Sequence, residues 1–276
     1  MTDPTEALVR AALEEDAAFR DVTTLAMVPE ALQARAWLRA RQAGVVAGAD
    51  CVRRVFQILD PACVVDIVAV DGSAVAAGAT VAIVSGSARA ALSGERVALN
   101  FIQRLSGIAT LTARFVDAVR GTRARILDTR KTTPGWRAIE KAAVRAGGGS
   151  NHRMDLASAV LIKDNHLRAV GGDVARAVAL ARAAMPRGAE IEVEADDIDQ
   201  VKVALAAGAE RILLDNMSLE TMRACVALTA GRARLEASGG INLTTVRSIA
   251  ETGVDDISVG ALTHSAPALD LGLDFD

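Results

Sequence analysis

The sequence predicts an α/β protein, with a mixed α+β module followed by a closed or nearly closed parallel α/β barrel. Three observations carry this reading. From about residue 122 onward, short aliphatic runs end in polar residues and lead into helical stretches, at the spacing of roughly 20–35 residues that successive βα units need. Half of the chain is hydrophobic, yet it holds only two Trp, five Phe and no Tyr, so its core is aliphatic, as in helices packed on buried parallel strands. Its 276 residues suffice for one large domain or two modest ones, at roughly 100–200 residues each.

In the first part, 4–19 has helical spacing, 34–41 and 44–49 read as strands, and 50–59 as a helix. The stretch 64–70 alternates like a strand and ends in the turn pair Asp71-Gly72, 78–85 is a further strand, and 88–120 reads as one or two long helices. In the second part the aliphatic runs are Ile126-Leu127, 159–162, 191–193, 212–214, Leu235 and 257–259. Helices are expected over 172–185, 198–207, 219–228 and 243–252, with Gly208 and Gly253 at left-handed helix ends. Six βα units in succession favour a barrel over the alternative of an open doubly wound sheet. No GxGxxG follows a strand, so a dinucleotide fold has no support.

Charge and composition exclude several classes. A net charge of −3 and the scarcity of aromatic rings argue against nucleic-acid binding. The charge is uneven, however: between Arg120 and Arg168 there are eleven Lys/Arg against four Asp/Glu, which fits a local pocket for a small anion. Cys51, Cys63 and Cys225 lack metal-ligand spacing and read as buried thiols of a reducing cytoplasm. The acidic N-terminus carries no signal peptide, and no run approaches the ~20 apolar residues of a membrane span, so a cytoplasmic protein is expected.

In a parallel α/β barrel the active site gathers at the C-terminal ends of the strands. Here those ends are Asp128-Thr129-Arg130-Lys131, Lys163-Asp164-Asn165-His166, Glu194, Asp215-Asn216, Ser238-Gly239-Gly240 and Val259-Gly260-Ala261. The early ends are cationic, with Arg153 in the loop between the first two; the middle ones are acidic and the late ones glycine-rich. Glycine lets backbone N–H groups approach a phosphate, and in such barrels the last two loops often hold one. Two carboxylates between an anion site and a phosphate site suit sugar hydroxyls or Mg²⁺. The segment 147–153, Gly-Gly-Gly-Ser-Asn-His-Arg, lies in the basic stretch and is expected to be an ordered ligand-binding loop. His166 and His264 remain ambiguous between packing and function.

These residues resemble a known family. Asp128-Thr129-Arg130-Lys131-Thr132-Thr133-Pro134-Gly135, Glu140-Lys141, 147–153 and Leu161-Ile162-Lys163-Asp164-Asn165-His166 are similar to quinolinate phosphoribosyltransferases. The likeness continues through Glu192-Val193-Glu194, Leu213-Leu214-Asp215-Asn216, Ser238-Gly239-Gly240-Ile241, Gly253-Val254-Asp255 and 258–265, and upstream through 95–100 and 105–110. It implies an N-terminal α/β sandwich over 1–106 and an incomplete α/β barrel over 107–265, with the tail 266–276 assigned to pack back on the first domain. It also implies a homodimer or larger homo-oligomer with the site near the subunit interface.

The implied reaction joins quinolinate to phosphoribosyl pyrophosphate with Mg²⁺, giving nicotinate mononucleotide, CO₂ and pyrophosphate for NAD synthesis. By the resemblance, Arg130, Arg153 and Lys163 hold the two quinolinate carboxylates, and Arg96 reaches in from a neighbouring subunit. Thr129, Lys131 and His152 lie near the pyridine acid and pyrophosphate, with Lys131 catalytic. Glu194 and Asp215 face the ribose and the metal, directly or through water. Ser238, Gly239, Gly240, Val259, Gly260 and Ala261 take the 5′-phosphate. One departure is Asp155, where the family often has Gly; it is expected to point away from the anion pocket or to pair with a cation. Alternatives are a related group tied to molybdenum utilisation, a transferase using nicotinate, and a non-catalytic anion sensor. Intact Lys163-Asp164-Asn165-His166, the abundance of cations, and Glu194 with Asp215 speak against the three in turn.

Overall fold

The computed structural model describes residues 3–185 and 189–275; Met1, Thr2 and Asp276, at the ends of the expected domain spans, lie outside the described residues. In chain order the first elements are α1 (Pro4–Glu15), a 3-10 turn (Ala18–Arg20), α2 (Val22–Met27), β1 (Gln33–Ala40), β2 (Gly44–Val45) and α3 (Ala49–Leu59). Then follow β3 (Val64–Ile67), β4 (Ala74–Val75), β5 (Thr80–Ser87), α4 (Ala88–Ala118), β6 (Arg125–Leu127), α5 (Arg137–Ala146), β7 (Val160–Ile162), α6 (Asp164–Ala169) and α7 (Val174–Ala184). The remainder is β8 (Ile191–Ala195), α8 (Ile198–Ala206), β9 (Arg211–Asp215), α9 (Leu219–Thr229), β10 (Arg234–Ser238), α10 (Val246–Ala250), β11 (Asp256–Ser258), α11 (Ala261–His264) and β12 (Leu271–Phe275).

The chain forms two compact units that are not contiguous in sequence. The first holds residues up to Ala113, Thr132–Gly148 and everything from Leu262; the second holds Arg114–Lys131 and Gly149–Ala261. The first unit is built on an antiparallel sheet of order β12-β1-β5-β3. Strand β1 alternates, burying Ala36, Leu38 and Ala40, while α3 buries Cys51, Val52, Val55 and Phe56 and packs beside α1. The tail reaches this sheet along α4. Gln103 and Arg104 donate to the carbonyls of Leu271 (2.7 Å) and Ala266 (2.9 Å), and a Cβ on Gly107 would collide with the Pro267 carbonyl. Glu140, fully buried, accepts from the Thr133 amide and hydroxyl (3.1 and 2.8 Å) and from Arg104 (3.2 Å), so it pins the segment after Lys131.

The second unit contains a parallel sheet of order β6-β11-β10-β9-β8-β7, with β6 and β7 at its two edges, consistent with an incomplete barrel. Strands β8 to β11 are buried along most of their length, and the connecting helices supply Val178, Val201, Ala204, Met222, Cys225 and Ile249. Beside β6 the loop residue Ser150 makes a parallel bridge to Leu127, with Ser150 N–H donating to Ile126 (2.8 Å) and Asp128 N–H donating to Ser150 (3.2 Å). The loop thereby extends the sheet at the edge where no seventh strand pairs among the described residues.

Several boundaries differ from the sequence reading for local reasons. Helix α1 stops at Glu15, and Ala17 turns left-handed (φ 52°), because Glu14, Glu15 and Asp16 put negative charge at the negative end of the helix. The strand expected over 44–49 ends at Val45, since the amides of Ala47 and Ala49 are taken by Ser106 and Asp71. The helix expected over 243–252 is α10 alone, because the Asn242 side chain accepts from the Thr244 amide and hydroxyl and forms a turn instead. Helix α5 was absent from the reading: Gly147 is the C-cap of this helix and Gly148 the left-handed residue after it (φ 84°), so two of the three glycines serve a helix end. The three cysteines are free and buried, and no helix among the described residues is long and apolar enough to cross a membrane.

Candidate active site

A parallel sheet delivers all its strand ends to one edge, and in the second unit that edge is chemically loaded. Strand β6 runs on into Thr129, Arg130 and Lys131, β7 into Lys163, and β11 into Val259, Gly260 and Ala261. Glu194 is the penultimate residue of β8, Asp215 ends β9, and Ser238 ends β10 directly opposite Asp215, with Gly239 and Gly240 following. Arg96 belongs to the first unit, where it is exposed on α4.

Within this edge specific contacts fix geometry. Lys163 Nζ donates to Glu194 Oε2 at 2.6 Å, across adjacent strands held in register by Ile162 opposite Val193. The Lys163 amide donates to His166 Nδ1 (2.9 Å), so His166 serves the start of α6. Asn216, left-handed at φ 51°, donates from its side chain to Asp215 (2.9 Å) and from its backbone to the Ser238 carbonyl (2.9 Å). A Cβ on Gly239 would strike the Asn216 side chain, and at φ 101° any side chain there is also strained, which is why glycine follows Ser238. Val259 N–H donates to the Leu127 carbonyl (2.9 Å) and closes the contact between the last loop and the first strand.

The His152-Arg153 loop is the most constrained part of the unit. Buried Asp128 accepts the His152 amide (2.9 Å) and the Asn151 side chain. The His152 ring faces the sheet interior, where Nε2 lies 3.1 Å from Glu192 Oε2 and 3.4 Å from Glu236 Oε2. Its Nδ1 accepts the Arg153 amide at 2.7 Å. Burial disfavours charge on this ring, but hydrogen bonds to Glu192 and Glu236 outweigh it and raise its pKa to about 9. The contact at Nδ1 works in the other direction, because a proton there must displace the Arg153 amide. Burial first, and then the charge of Arg130, pull the Arg153 guanidinium below its ordinary range; Nη1 of Arg153 also donates to the Ala159 carbonyl (3.1 Å). The charge of Arg130 acts on Arg153, and Arg130 keeps a buried Nε without a hydrogen-bond partner, a donor that a carboxylate would satisfy. Asp155 turns back on its own loop and accepts the amides of Ala157 (2.9 Å) and Ser158 (2.8 Å).

Beneath this loop lies a buried ion network that the sequence reading missed. Arg211 meets Glu236 (2.9 Å), Asp256 (3.0 Å) and Glu192 (3.6 Å); Asp256 also meets Arg125 (2.8 Å) and Arg234 (3.0 Å). Glu192, Glu236 and Asp256 are buried within β8, β10 and β11, while Arg125 and Arg234 reach Asp256 from partly exposed strand starts, so the period-2 alternation of Arg211-Ile-Leu and Arg234-Leu-Glu236 was the available signal. A cavity of about 310 Å³ is lined by Arg125, Ser150, His152, Arg153, Val160, Glu192 and Arg211, among others, and so reaches toward the strand starts rather than their ends.

Two groupings could hold a metal. The ligand atoms of His152, Glu192 and Glu236 lie within 4.8 Å of one another, but both carboxylates already share Arg211 and the ring is drawn toward its cationic form. Glu194 and Asp215 instead offer partly exposed oxygen donors at the strand ends, the hard donor chemistry that Mg²⁺ accepts when substrate phosphates and water complete its shell.

Comparison with known proteins identifies the family. Residues 21–106 match the quinolinate phosphoribosyl transferase N-terminal domain and residues 108–274 its C-terminal domain. The chain is 44% identical over 277 residues to the nicotinate-nucleotide pyrophosphorylase [carboxylating] of Mycobacterium leprae, covering 96% of this chain and 95% of that protein. It is 42% identical over 289 residues to the chloroplastic enzyme of the same name from Arabidopsis thaliana, covering 98% and 82%. The nicotinate-nucleotide pyrophosphorylase structure from Francisella tularensis superposes with a TM-score of 0.95 at 39% identity, covering 99% of this chain and 96% of that one. The chain belongs to the quinolinate phosphoribosyltransferase family.

Proposed function

We propose that this protein transfers the phosphoribosyl group of phosphoribosyl pyrophosphate to quinolinate with loss of CO₂, giving nicotinate mononucleotide and pyrophosphate for NAD synthesis. The single observation that carries this reading is the gathering at one edge of a parallel sheet of Arg130, with its unpartnered buried Nε, and of Lys163, Glu194 and Asp215. A planar dianion needs more than one fork-shaped cation, and guanidinium groups meet carboxylates through two parallel bonds. Arg130 and Arg153 are assigned to the quinolinate carboxylates together with Lys163. Lys163 leaves Glu194 for the substrate or bridges the two.

As the bond to pyrophosphate breaks, C1 of the ribose gains positive character. Glu194 and Asp215 stabilise it electrostatically and orient the ribose hydroxyls, while Lys131, with Thr129, steadies the departing pyrophosphate. Glu194 and Asp215 are the residues assigned to Mg²⁺, which supplies charge neutralisation to the pyrophosphate. The phosphate end is assigned to Ser238, Gly239, Gly240 and the 259–261 loop. Once the pyridine nitrogen is ribosylated, its positive charge stabilises the carbanion left when the adjacent carboxylate departs as CO₂, and a proton from water then forms the new C–H bond. Arg96 is assigned to a neighbouring copy's site, which makes a homodimer or larger homo-oligomer the working form, and the cytoplasm its place.

The test mixes the protein with quinolinate labelled in its 2-carboxylate, phosphoribosyl pyrophosphate and Mg²⁺. The expected result is labelled CO₂ and nicotinate mononucleotide in equal amounts. Folded protein that releases neither, or that uses nicotinate and not quinolinate, overturns the proposal.

A further inference from the structure

The charge of Arg130 acts unfavourably on Arg153 in the absence of an anion, and the Arg153 guanidinium is steadied by the Ala159 carbonyl and by the charges of Glu192 and Asp155. Glu192 on β8 and Glu236 on β10 are 3% and 1% exposed, on strands separated by β9, yet both aim their Oε2 atoms at the same His152 nitrogen. The other ring nitrogen of His152 is committed to the Arg153 amide. The chain therefore runs from two buried carboxylates, through one imidazole, to the backbone of Arg153.

The rest of the loop is held from the opposite side, by Ser150 on β6 and by Asp128 on the His152 amide. The imidazole connects it to the strands of the sheet centre, at 3.1 Å from Glu192 and 3.4 Å from Glu236. Arg211 balances the carboxylates from behind, at 2.9 Å from Glu236 and 3.6 Å from Glu192, so their charge remains in place without a substrate. One oxygen of each glutamate, Oε1, has no hydrogen-bond partner, which marks the cost of keeping two carboxylates on one ring.

We propose that Glu192 and Glu236 are positioning residues for recognition of the substrate acid: through His152 they set the place of Arg153 beside Arg130. This rests on the functional reading above, in which those two arginines bind quinolinate. Neither glutamate sits among the strand-end residues assigned to the ribose or phosphate. The predicted defect is thus selective for one substrate.

The experiment compares Glu192→Gln, Glu236→Gln and the double variant with Arg234→Met. The last removes a charge from the same ion network through Asp256 and touches no residue of the loop. Gln keeps a carbonyl that accepts from Nε2 but loses the charge, so each single variant is expected to raise the KM for quinolinate several-fold. The double variant is expected to raise it at least about tenfold, the scale of a lost charged hydrogen bond. The KM for phosphoribosyl pyrophosphate should stay within about twofold. Arg234→Met should move neither KM. Equal rises in both KM values, no rise in any glutamate variant, or an equal quinolinate defect in Arg234→Met overturns the proposal. If the double variant does not fold, the two single variants decide. Hydrogen exchange of the Arg153 amide in the unliganded protein gives a readout independent of turnover, and it should quicken in the glutamate variants and not in Arg234→Met. A wild-type protein inactive on quinolinate would defeat the functional reading, while the exchange result would still decide whether the glutamates hold the loop.

Discussion

The two ends of the same six strands use charge in opposite ways. At the strand starts Arg125, Arg211, Arg234, Asp256, Glu192 and Glu236 interlock, and Asp256 and Glu236 are almost wholly buried. At the strand ends Lys163 is half exposed and Glu194 and Asp215 are partly open to solvent. Alternation lines up charges in both layers; those of the lower layer are bound to one another through Arg211 and Asp256, while in the upper layer Lys163 pairs with Glu194. Charge saturated by neighbours gives rigidity, and charge left available gives chemistry. The His152 loop joins the layers, because its ring contacts the lower one and its arginine serves the upper one.

This contrast is broken most strongly at Asp256. Replacing it by Ala leaves three guanidinium groups around an empty position, and removal of one partner from a buried ion cluster costs about 3–5 kcal/mol. Urea unfolding should show that loss, with the KM for either substrate unchanged in the protein that remains folded. A loss below about 1 kcal/mol would mean that the lower layer is solvated and its charges are not interlocked.

A smaller effect sharpens the same contrast through pH. Burial opposes ionisation of Asp256, but Arg125, Arg211 and Arg234 hold its carboxyl below the usual range. Its contribution to stability is therefore complete above the unfolded value of about 4 and fades as pH falls through the lower folded value. Acid titration of stability should show wild type losing its advantage over Asp256→Asn only in that acid window. An advantage that instead fades between pH 6 and 8 would assign the linkage to another group.

Much of the upper layer was legible in the sequence, because aliphatic runs broken by Lys163, Asp215 or Ser238 announce strand ends. The lower layer was not. Arg211, Arg234 and Asp256 stand at the first position of short strands, where a charged residue reads equally well as a solvated flank. Whether such a residue is buried depends on partners from other strands, which local spacing does not encode. Helix α5 was hidden for a related reason: Pro134-Gly135 and 147–149 bracket it with loop signals, and its buried Glu140 and Lys141 look like a solvent face. The discontinuous makeup of the first unit, with Thr132–Gly148 and the tail both joining it, likewise depends on contacts such as Arg104 to Glu140, between residues far apart in sequence.

The most direct test of the account is kcat/KM for quinolinate in Arg130→Met, measured beside the thermal midpoint. If the paired guanidinium groups recognise the diacid, the value falls about a hundredfold or more, corresponding to roughly 2.7 kcal/mol, while the midpoint moves by no more than about 2 °C. A value within threefold of wild type, in a protein equally stable, would place acid recognition elsewhere in the molecule and contradict the account.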